Sequence, residues 1–329
     1  MRPTLDLQTI MKLLFVADPL HTFKTYKDST FAMMREAASR GHELWACEPQ
    51  QVVWQRGSLV QAQARRITLT GDAHDWFDEQ EQAMVALSSM DAVLMRKDPP
   101  FDAEYLYATH LLTQAEREGA RVFNKPQALR EHPEKLAILE FPLHIAPTLV
   151  TRSIEAVRAF HTEHRDIILK PLDGMGGMGI FRVKDDGLNL GSIAETLTKD
   201  GTQTIMVQAF LPAISAGDKR VLVIDGESVP YALARIPQGG EVRGNLAAGG
   251  KGVAQPLSES DWAIARELGP ILAARGLLLV GLDIIGDRLT EINVTSPTCF
   301  QEITDQTGWN VAQRFIDALE GAVQRQQRQ

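Results

Sequence analysis

The sequence predicts an α/β first third followed by an α+β body, and three observations lead to this prediction. Strand-like and helix-like segments alternate from residue 11 to about residue 123, which is typical of a parallel sheet covered by helices. From residue 148 onward, strands come in pairs joined by short glycine-containing turns, which favours antiparallel hairpins. Apolar residues make up 44% and charged residues 23% of the chain, as in ordinary globular proteins.

The first third contains predicted strands and helices in alternation. Buried-type apolar runs predict strands at residues 13–17, 44–47, 91–95 and 121–123. Helical spacing of apolar residues predicts helices at 29–40 and 103–118, and a glycine follows each of them as a stop signal. We therefore expect an N-terminal α/β domain at residues 11–130, built on a parallel sheet, with residues 1–10 as an extension.

The remaining two thirds are predicted to form two antiparallel lobes. Paired strands are expected at 167–170 with 180–183, at 221–224 with 229–234, and at 280–284 with 289–294. We divide this body into a central lobe at residues 131–211 and a C-terminal lobe at residues 212–329.

Charge and cysteine usage exclude several classes of protein. The formal net charge of -8 argues against nucleic acid or an anionic membrane as the main partner. Cys47 and Cys299 have no metal-ligand spacing and form no disulfide framework, so a reducing cytoplasm is expected. The first ten residues lack the apolar core of a signal peptide, and no apolar run is long enough to cross a bilayer.

A glycine-rich loop at residues 174–179 matches the pattern G-x-G-x-x-G. The dinucleotide-binding version of this pattern requires a helix after the loop, whereas here a second strand follows, so that interpretation is rejected. A glycine loop between antiparallel strands can instead cover phosphates with backbone N–H groups. Lys170 ends the preceding strand and would add a fixed cation, although a solvated strand-end lysine is the alternative.

Two other nucleotide-binding motifs are excluded by their context. The triplet His164-Arg165-Asp166 resembles a kinase catalytic loop, but it precedes the glycine loop and lacks the downstream asparagine. Residues 249–252 have neither the spacing nor the Ser/Thr of a Walker loop.

A candidate magnesium site lies in the last predicted hairpin. Glu291 and Asn293 are two residues apart on a strand and therefore project from one face, where their hard oxygens suit Mg²⁺. Whether Asp283 joins them depends on the register. A two-residue turn at 286–287 pairs Asp283 with Thr290, whereas a turn one residue longer pairs it with Glu291, and the metal hypothesis requires the longer turn. A half-exposed acidic strand is the alternative.

Residues 237–252 are too rich in glycine for a regular element and predict a lid or a linker. Arg243, Asn245 and Lys251 lie among these glycines, which favours a lid that contacts a ligand. Arg220 on the preceding strand and Arg235 at the base of the loop would add guanidinium groups suited to carboxylate and phosphate.

In this order, the motifs resemble the ATP-grasp superfamily, and most closely the bacterial glutathione synthetases. The resemblance covers the chain from about residue 11 to residue 316, leaving the extension at 1–10 outside. It is carried by the stretches VLMRKDPPF (93–101), NKP (124–126), IILKPLDGMGG (167–177), ARIPQGG (234–240), RGNLAAGG (243–250) and EINVTSPT (291–298).

The resemblance implies an ATP-grasp fold with an N-terminal pre-ATP-grasp domain, and it assigns roles to individual residues. It implies contacts with ATP from Lys135, Lys170, Asp173, Gly174, Met175, Gly176, Gly177, Gln208, Ala209, Phe210, Leu211 and Asp218. It implies contacts with the peptide substrate from Arg96, Arg220, Arg235, Arg243, Asn245, Ser296 and Thr298. It implies catalytic roles for Lys170, Arg220 and Arg235, and Mg²⁺ or Mn²⁺ ligands at Asp283, Glu291 and Asn293.

The implied reaction joins γ-glutamylcysteine to glycine and converts ATP to ADP and phosphate through an acyl phosphate. The implied partners are therefore these small molecules, with neither nucleic acid nor membrane, and the resemblance suggests a homotetramer. Two alternatives stay open. One is another ligase of the same fold, of the D-alanine or glutamate type, and the other is a nucleotide-binding regulatory protein without catalysis.

Overall fold

The structure is a computed structural model that describes residues 10–174, 176–239, 243–246 and 249–327. Residues 1–9 of the predicted extension lie outside the described residues. The same is true of Met175 in the glycine loop and of residues 240–242 and 247–248 in the predicted lid.

The N-terminal domain is built on a mixed sheet with a parallel centre. Its strands are β1 (Lys12–Val16), β2 (Glu43–Cys47), β3 (Val52–Val53), β4 (Gln61–Leu69), β5 (Phe77–Ala86), β6 (Ala92–Met95) and β7 (Val122–Phe123). Its helices are α1 (Ser29–Ser39), α2 (Ala103–Arg117) and α3 (Pro126–Glu131). The parallel centre, in the order β2-β1-β6-β7, confirms the predicted strands.

The sheet also has an antiparallel extension that the sequence analysis missed. Strand β4 pairs antiparallel with β2, β3 and β5, and β5 is the exposed outer strand of this extension. Five consecutive residues of β5, 78–82, are exposed, so the strand lacks the alternation of apolar and polar residues that predicts a half-buried strand. The purely parallel sheet expected for this domain is therefore corrected to a mixed one.

Two aspartates cap the amino-terminal ends of α1 and α2. The Asp28 carboxylate accepts a hydrogen bond of 2.7 Å from the Phe31 amide at the start of α1. Asp102 caps α2 in the same way, accepting from the Tyr105 amide at 2.9 Å. Aspartate is favoured at this position because its side chain satisfies an amide that has no partner within the helix. The predicted positions of both helices are confirmed.

The central lobe is an antiparallel sheet with a small core of its own. It contains β8 (Thr148–Thr151), β9 (Ile167–Pro171), β10 (Phe181–Val183) and β11 (Ile205–Ala209), in the order β10-β9-β11-β8. Helices α4 (Ile154–His164) and α5 (Leu190–Thr198) pack on it through Val157 and Ala194. The glycine loop joins β9 to β10, so the predicted hairpin is confirmed.

The C-terminal lobe is a second antiparallel sheet covered by helices. Its strands are β12 (Asp218–Ile224), β13 (Glu227–Ile236), β14 (Lys251–Pro256), β15 (Leu279–Ile285) and β16 (Arg288–Asn293), in the order β14-β13-β12-β15-β16. Its helices are α6 (Glu259–Ala274), α7 (Phe300–Thr307) and α8 (Val311–Gln327). Lys251 and Gly252 pair with β13 as part of β14, so the predicted lid is shortened to residues 237–250.

The N-terminal domain and the C-terminal helices share one hydrophobic core. Met33 and Met34 of α1 are fully buried in the cluster that also contains Phe300 of α7 and Phe315 of α8. The rings of Phe300 and Phe315 have their centroids 6.1 Å apart. Burial of such large side chains stabilises the junction by about 1.5–3 kcal/mol each, so this contact fixes the position of the N-terminal domain beside the C-terminal sheet. Within the described part of the chain, no helix combines the length and the apolar character that a membrane span requires.

Candidate active site

A cavity of about 500 Å³ lies where the three parts of the chain meet. Residues from the glycine loop, the C-terminal sheet and the loops after β1 and β6 line it together. These predicted site residues line the cavity: Lys135, Lys170, Gly174, Gly176, Gly177, Gln208, Ala209, Phe210, Leu211, Asp218, Arg220, Arg235, Arg243, Asn245, Asp283, Glu291, Asn293, Ser296 and Thr298. The structure thus brings together residues that are up to 163 positions apart in the sequence, from Lys135 to Thr298.

Two buried lysines lie beside the glycine loop. The Lys135 Nζ atom donates to the Gly174 carbonyl at 2.6 Å and forms an ion pair of 3.1 Å with Glu291 Oε1. Lys170 ends β9, and its Nζ atom donates to the Thr290 carbonyl at 3.3 Å. Burial lowers the pKa of Lys170 to about 8, against the opposing effect of the Glu291 charge. These ammonium groups link the glycine loop to β16, and both reach the cavity.

The glycine loop and the predicted lid are in contact at Gly177. Its φ of +83° is unfavourable for any residue with a side chain, and a Cβ atom there would lie 2.7 Å from Asn245 Oδ1. Arg243 also approaches, because its Nη1 atom donates to the Gly177 carbonyl at 3.5 Å. Only glycine allows the lid to lie this close to the loop backbone.

The register of the last hairpin differs from both registers considered in the sequence analysis. Ile285 pairs with Arg288 across a two-residue turn, and an irregularity between Asp283 and Ile284 then shifts the pairing by one residue. Asp283 therefore pairs with Glu291 even though the turn is the shorter one. The requirement for a longer turn was wrong, because a β-bulge at Thr290 has the same effect.

Asp283 is held between two buried arginines. The Nε atom of Arg220 donates to Asp283 Oδ1 at 2.5 Å, and the Nη2 atom of Arg235 lies 2.7 Å from Asp283 Oδ2. Burial opposes ionisation of this carboxyl, but the two guanidinium groups hold the pKa of Asp283 well below its usual range. Each charged group of this cluster is paired, which limits the free-energy penalty of burying it.

Asp218, one of the predicted ATP contacts, extends the cluster. Its Oδ2 atom accepts from Arg235 Nη2 at 2.5 Å, whereas its buried Oδ1 atom has no hydrogen-bond partner among the described residues. Burial raises the pKa of Asp218 to about 6, although Arg235 acts in the opposite direction. A buried acceptor without a partner is costly, so Oδ1 is suited to a donor supplied by a ligand.

Asp283, Glu291 and Asn293 provide a donor set that fits a hard divalent cation. The Nδ2 atom of Asn293 donates to the Gly281 carbonyl at 3.3 Å, which leaves its Oδ1 atom as an acceptor. No group of three or more His, Cys, Asp or Glu side chains in the described ranges is arranged to hold a metal. The candidate set therefore consists of two carboxylates and one amide, and these oxygen ligands are of the kind that Mg²⁺ prefers.

Two predicted site residues lie outside the cavity. Arg96 is buried, and its guanidinium donates to Thr30 Oγ1 at 3.1 Å and to the Pro297 carbonyl at 3.2 Å. It therefore supports the turn at residues 296–298, and it is not among the residues that line the cavity. Asp173, directly before the glycine loop, is exposed and is not among the residues that line the cavity. Met175, another predicted ATP contact, is not among the described residues.

A group of charged residues from the N-terminal domain lines one end of the cavity and was not predicted from the sequence. Lys24, Lys27 and Asp28 follow β1, and Asp98 follows β6. Because β1 and β6 are parallel neighbours, the residues after their carboxyl ends meet at one edge of the sheet. That rule could have identified them from the predicted strands alone.

Glu134 also lines the cavity without having been predicted. Its carboxylate accepts from Thr295 Oγ1 at 2.7 Å, and its backbone carbonyl accepts from the Ile292 amide at 2.9 Å. Burial and the nearby Glu291 charge raise the pKa of Glu134 to about 7. Glu134 directly precedes Lys135, and its contacts connect this part of the chain to the strand that carries Glu291 and Asn293.

Comparisons with known proteins agree with this architecture. The family model described as the prokaryotic glutathione synthetase N-terminal domain matches residues 11–130, and the model of the corresponding ATP-grasp domain matches residues 134–308. A glutathione synthetase of Ralstonia nicotianae is 62% identical over 312 residues, covering 95% of this chain and 96% of the relative. One of Nitrosomonas europaea is 58% identical over 322 residues, covering 97% and 100%.

Solved structures share the fold at low sequence identity. D-cycloserine synthetase DcsG is 17% identical with a TM-score of 0.67, covering 94% of this chain and 99% of that one. The ATP-grasp ligase PsnB, complexed with minimal precursor, Mg and ADP, is 20% identical with a TM-score of 0.60, covering 95% and 98%. These two likenesses establish the ATP-grasp fold alone. The family models and the close relatives show that the chain belongs to the prokaryotic glutathione synthetase family of ATP-dependent carbon–nitrogen ligases.

Proposed function

We propose that the cavity joins γ-glutamylcysteine to glycine and converts ATP to ADP and phosphate. The observation that carries this proposal is the shared cavity itself. It collects Lys135 and Lys170 beside the glycine loop, the Asp283–Glu291–Asn293 set and the paired arginines Arg220 and Arg235. Relatives named glutathione synthetase, which are up to 62% identical over nearly the whole chain, support this choice of substrates.

The reaction requires activation of the cysteine carboxylate, which is a poor electrophile. A carboxylate oxygen attacks the γ-phosphorus of ATP, ADP leaves, and an acyl phosphate forms. The glycine amine then attacks the acyl carbon. Phosphate leaves and carries the carboxylate oxygen that attacked the γ-phosphorus. Lys135 and Lys170, which both line the cavity, would neutralise negative charge on the transferring phosphoryl group.

The oxygens of Asp283, Glu291 and Asn293 would hold Mg²⁺ or Mn²⁺. When bound, the metal supplies a charge that neutralises the phosphate oxygens. The chain prepares this set of oxygens through its own contacts. Asn293 is oriented by the Gly281 carbonyl, and Glu291 is fixed by its ion pair with Lys135.

Arg220 and Arg235 would stabilise charge that develops on the acyl group. Both guanidinium groups are fixed by Asp283, so they need little reorganisation when the oxyanion forms. This pre-organisation assigns Asp283 a second role, in which it positions the arginines in addition to offering oxygens to the metal.

The end of the cavity that charged residues of the N-terminal domain line suits the γ-glutamyl end of the peptide. That end carries both an ammonium and a carboxylate, and the cavity offers Lys27 close in sequence to Asp28, with Asp98 nearby. Ser296 Oγ forms a short hydrogen bond with Asp98 Oδ1, so the turn at 296–298 is connected to this end. The role of Arg96 is then indirect, through the Pro297 carbonyl.

Phosphate release with different substrates tests the proposed function. We expect release that depends on γ-glutamylcysteine and glycine together, and glutathione as the product identified by mass spectrometry. Release that instead depends on D-alanine or on a glutamate acceptor would assign the cavity to another ligase reaction. Binding of ATP without release under any of these conditions would indicate a regulatory protein.

The finer expectations about the cellular form of the protein are proposals as well. We propose a cytoplasmic homotetramer that takes no nucleic acid or membrane partner. Both cysteines are buried and unpaired, as a reducing compartment allows, and burial raises the pKa of Cys47 to about 12. Sedimentation of the purified protein measures the oligomeric state, and a stable monomer or dimer would contradict the tetramer.

The Lys170→Met variant is expected to bind ATP about tenfold to a hundredfold more weakly, because a charge-assisted contact is worth about 1.5–3 kcal/mol. Methionine keeps most of the side-chain volume, so the fold should be retained. Isothermal calorimetry of the variant with ATP measures the effect. Unchanged affinity would count directly against the phosphate-loop assignment.

The lid is expected to become protected from trypsin when ligands bind. Its glycines make the open form rich in conformations, so only a ligand contact can offset the entropy lost on closing. Arg243 is a trypsin site within the lid, and Lys251 is one at the start of β14. We expect cleavage at Arg243 in the free protein and suppression by a non-hydrolysable ATP analogue with γ-glutamylcysteine. A loop that resists trypsin with and without ligands is a rigid element, and the lid assignment then fails.

A further inference from the structure

The triplet His164-Arg165-Asp166, which is not a kinase motif, has a structural role beside the nucleotide site. Arg165 has a φ of +66° and ends α4, and the Asp166 amide donates to the His164 carbonyl at 2.7 Å. This tight turn directs the chain into β9 and leaves the Asp166 carboxylate facing β10. There it accepts from Arg182 Nε at 2.9 Å and from Arg182 Nη2 at 2.6 Å.

Arg182 in turn covers the ring of Phe210, a residue that lines the cavity. The centre of its guanidinium lies 3.4 Å from the centroid of the Phe210 ring. The Phe210 amide donates to the Asp166 carbonyl at 2.9 Å, which closes the set of contacts. We call Asp166, Arg182 and Phe210 the purine-wall clamp, because the family resemblance implies that residues 208–211 lie along the adenine edge of ATP.

The clamp connects two elements that are distant in the sequence. Arg182 lies on β10, directly after the glycine loop, and pairs with Ile168 of β9. Phe210 lies after β11, where the chain passes from the central to the C-terminal lobe. The side chains of Asp166 and Arg182 are only 33% and 26% exposed, so solvent screens their ion pair incompletely.

We propose that Arg182 is a positioning residue for the nucleotide, acting through Phe210. The planar guanidinium meets the carboxylate in a bidentate fork and at the same time stacks on the ring. The ring is thereby held in one orientation before ATP arrives, so less side-chain freedom is lost on binding. This proposal rests on the proposed ATP site, because Phe210 matters only if the purine lies against it.

The Arg182→Met variant tests the clamp by direct binding. We expect the dissociation constant for ATP to rise about threefold to tenfold, from loss of the stack and of pre-organisation. The dissociation constant for γ-glutamylcysteine should not change. Arg182→Lys should restore little, because lysine keeps the charge but lacks the planar fork.

Arg165→Met is the matched control for this experiment. Arg165 also pairs with an aspartate, Asp185, but both side chains are mostly exposed and neither lines the cavity. This variant should bind ATP like the unchanged protein. An Arg182→Met protein that loses affinity for both ligands equally, or for neither, overturns the proposal.

A double-mutant cycle with Phe210→Leu separates positioning from general stabilisation. If Arg182 acts through the ring, the double variant should bind ATP no more weakly than the worse single variant. Additive effects overturn the proposal. Asp166→Asn provides a second route if Arg182→Met does not fold, and it should weaken ATP binding in the same direction.

These measurements distinguish the clamp from the proposed function. If the variants bind ATP with the expected pattern but the unchanged protein makes no glutathione, the proposed function is wrong and the clamp proposal stands. If the unchanged protein makes glutathione but Arg182→Met binds ATP normally, only the clamp proposal is wrong. Failure of the unchanged protein to bind ATP overturns both.

Discussion

Replacing Glu291 by glutamine is expected to lower kcat about a hundredfold or more while leaving the fold intact. The change keeps the side-chain volume but removes the charge of a proposed metal ligand. A loss of about 3 kcal/mol of transition-state stabilisation corresponds to a decrease in kcat of about a hundredfold. Asn293→Ala should act in the same direction, because it removes the amide oxygen two residues further along β16. Steady-state phosphate release, measured as a function of Mg²⁺ concentration, provides the numbers.

Asp287→Asn is the control for the metal ligands. Asp287 lies in the turn of the same hairpin, and its side chain is 66% exposed. Its replacement removes one carboxylate from the hairpin without reaching the cavity, so activity should stay near normal. If Glu291→Gln is also near normal at limiting Mg²⁺, the metal assignment is wrong.

Arg220→Met is expected to lower kcat by about a factor of 10² to 10³, which is typical for removal of one group that stabilises an oxyanion. Stability should fall as well, because Asp283 loses one of its two guanidinium partners in a buried site. The double effect makes a stability-matched control necessary, since a partly unfolded enzyme also turns over slowly.

Lys219→Met is that control, because Lys219 directly precedes Arg220 in β12. Successive residues of a strand face opposite sides, and Lys219 points away from Arg220 to form a buried ion pair with Asp261. Breaking this pair should destabilise the protein by about 3–5 kcal/mol, yet kcat of the folded fraction should be unchanged. If the two variants have the same kcat, Arg220 has a structural role and no catalytic one.

Much of this site could be predicted because its chemistry lies in short sequence motifs. The glycine loop between two strands and Lys170 before it are local features, and the structure places both at the cavity. The pairing of Asp283 with Glu291 was required by the metal hypothesis and occurs, but through a bulge at Thr290. Turn length can be estimated from sequence, whereas an extra residue in a strand depends on packing against its neighbours.

Other features depend on contacts that the sequence does not display. Arg96 belongs to a stretch typical of the family, yet it donates to the Pro297 carbonyl of the 296–298 turn and is not among the residues that line the cavity. Its direction is set by Thr30 and Pro297, which are 66 and 201 residues away along the chain. Strand β5 was missed for a different reason, because its exposed polar residues show no periodicity.

The transfer of labelled oxygen tests the central claim, that the cavity activates a carboxylate as an acyl phosphate. γ-Glutamylcysteine would be labelled with oxygen-18 in the cysteine carboxylate, and the released phosphate analysed by mass spectrometry after turnover with ATP and glycine. The account predicts one labelled oxygen in each phosphate, because the attacking carboxylate oxygen leaves with the phosphoryl group. Glutathione formed together with unlabelled phosphate would contradict it.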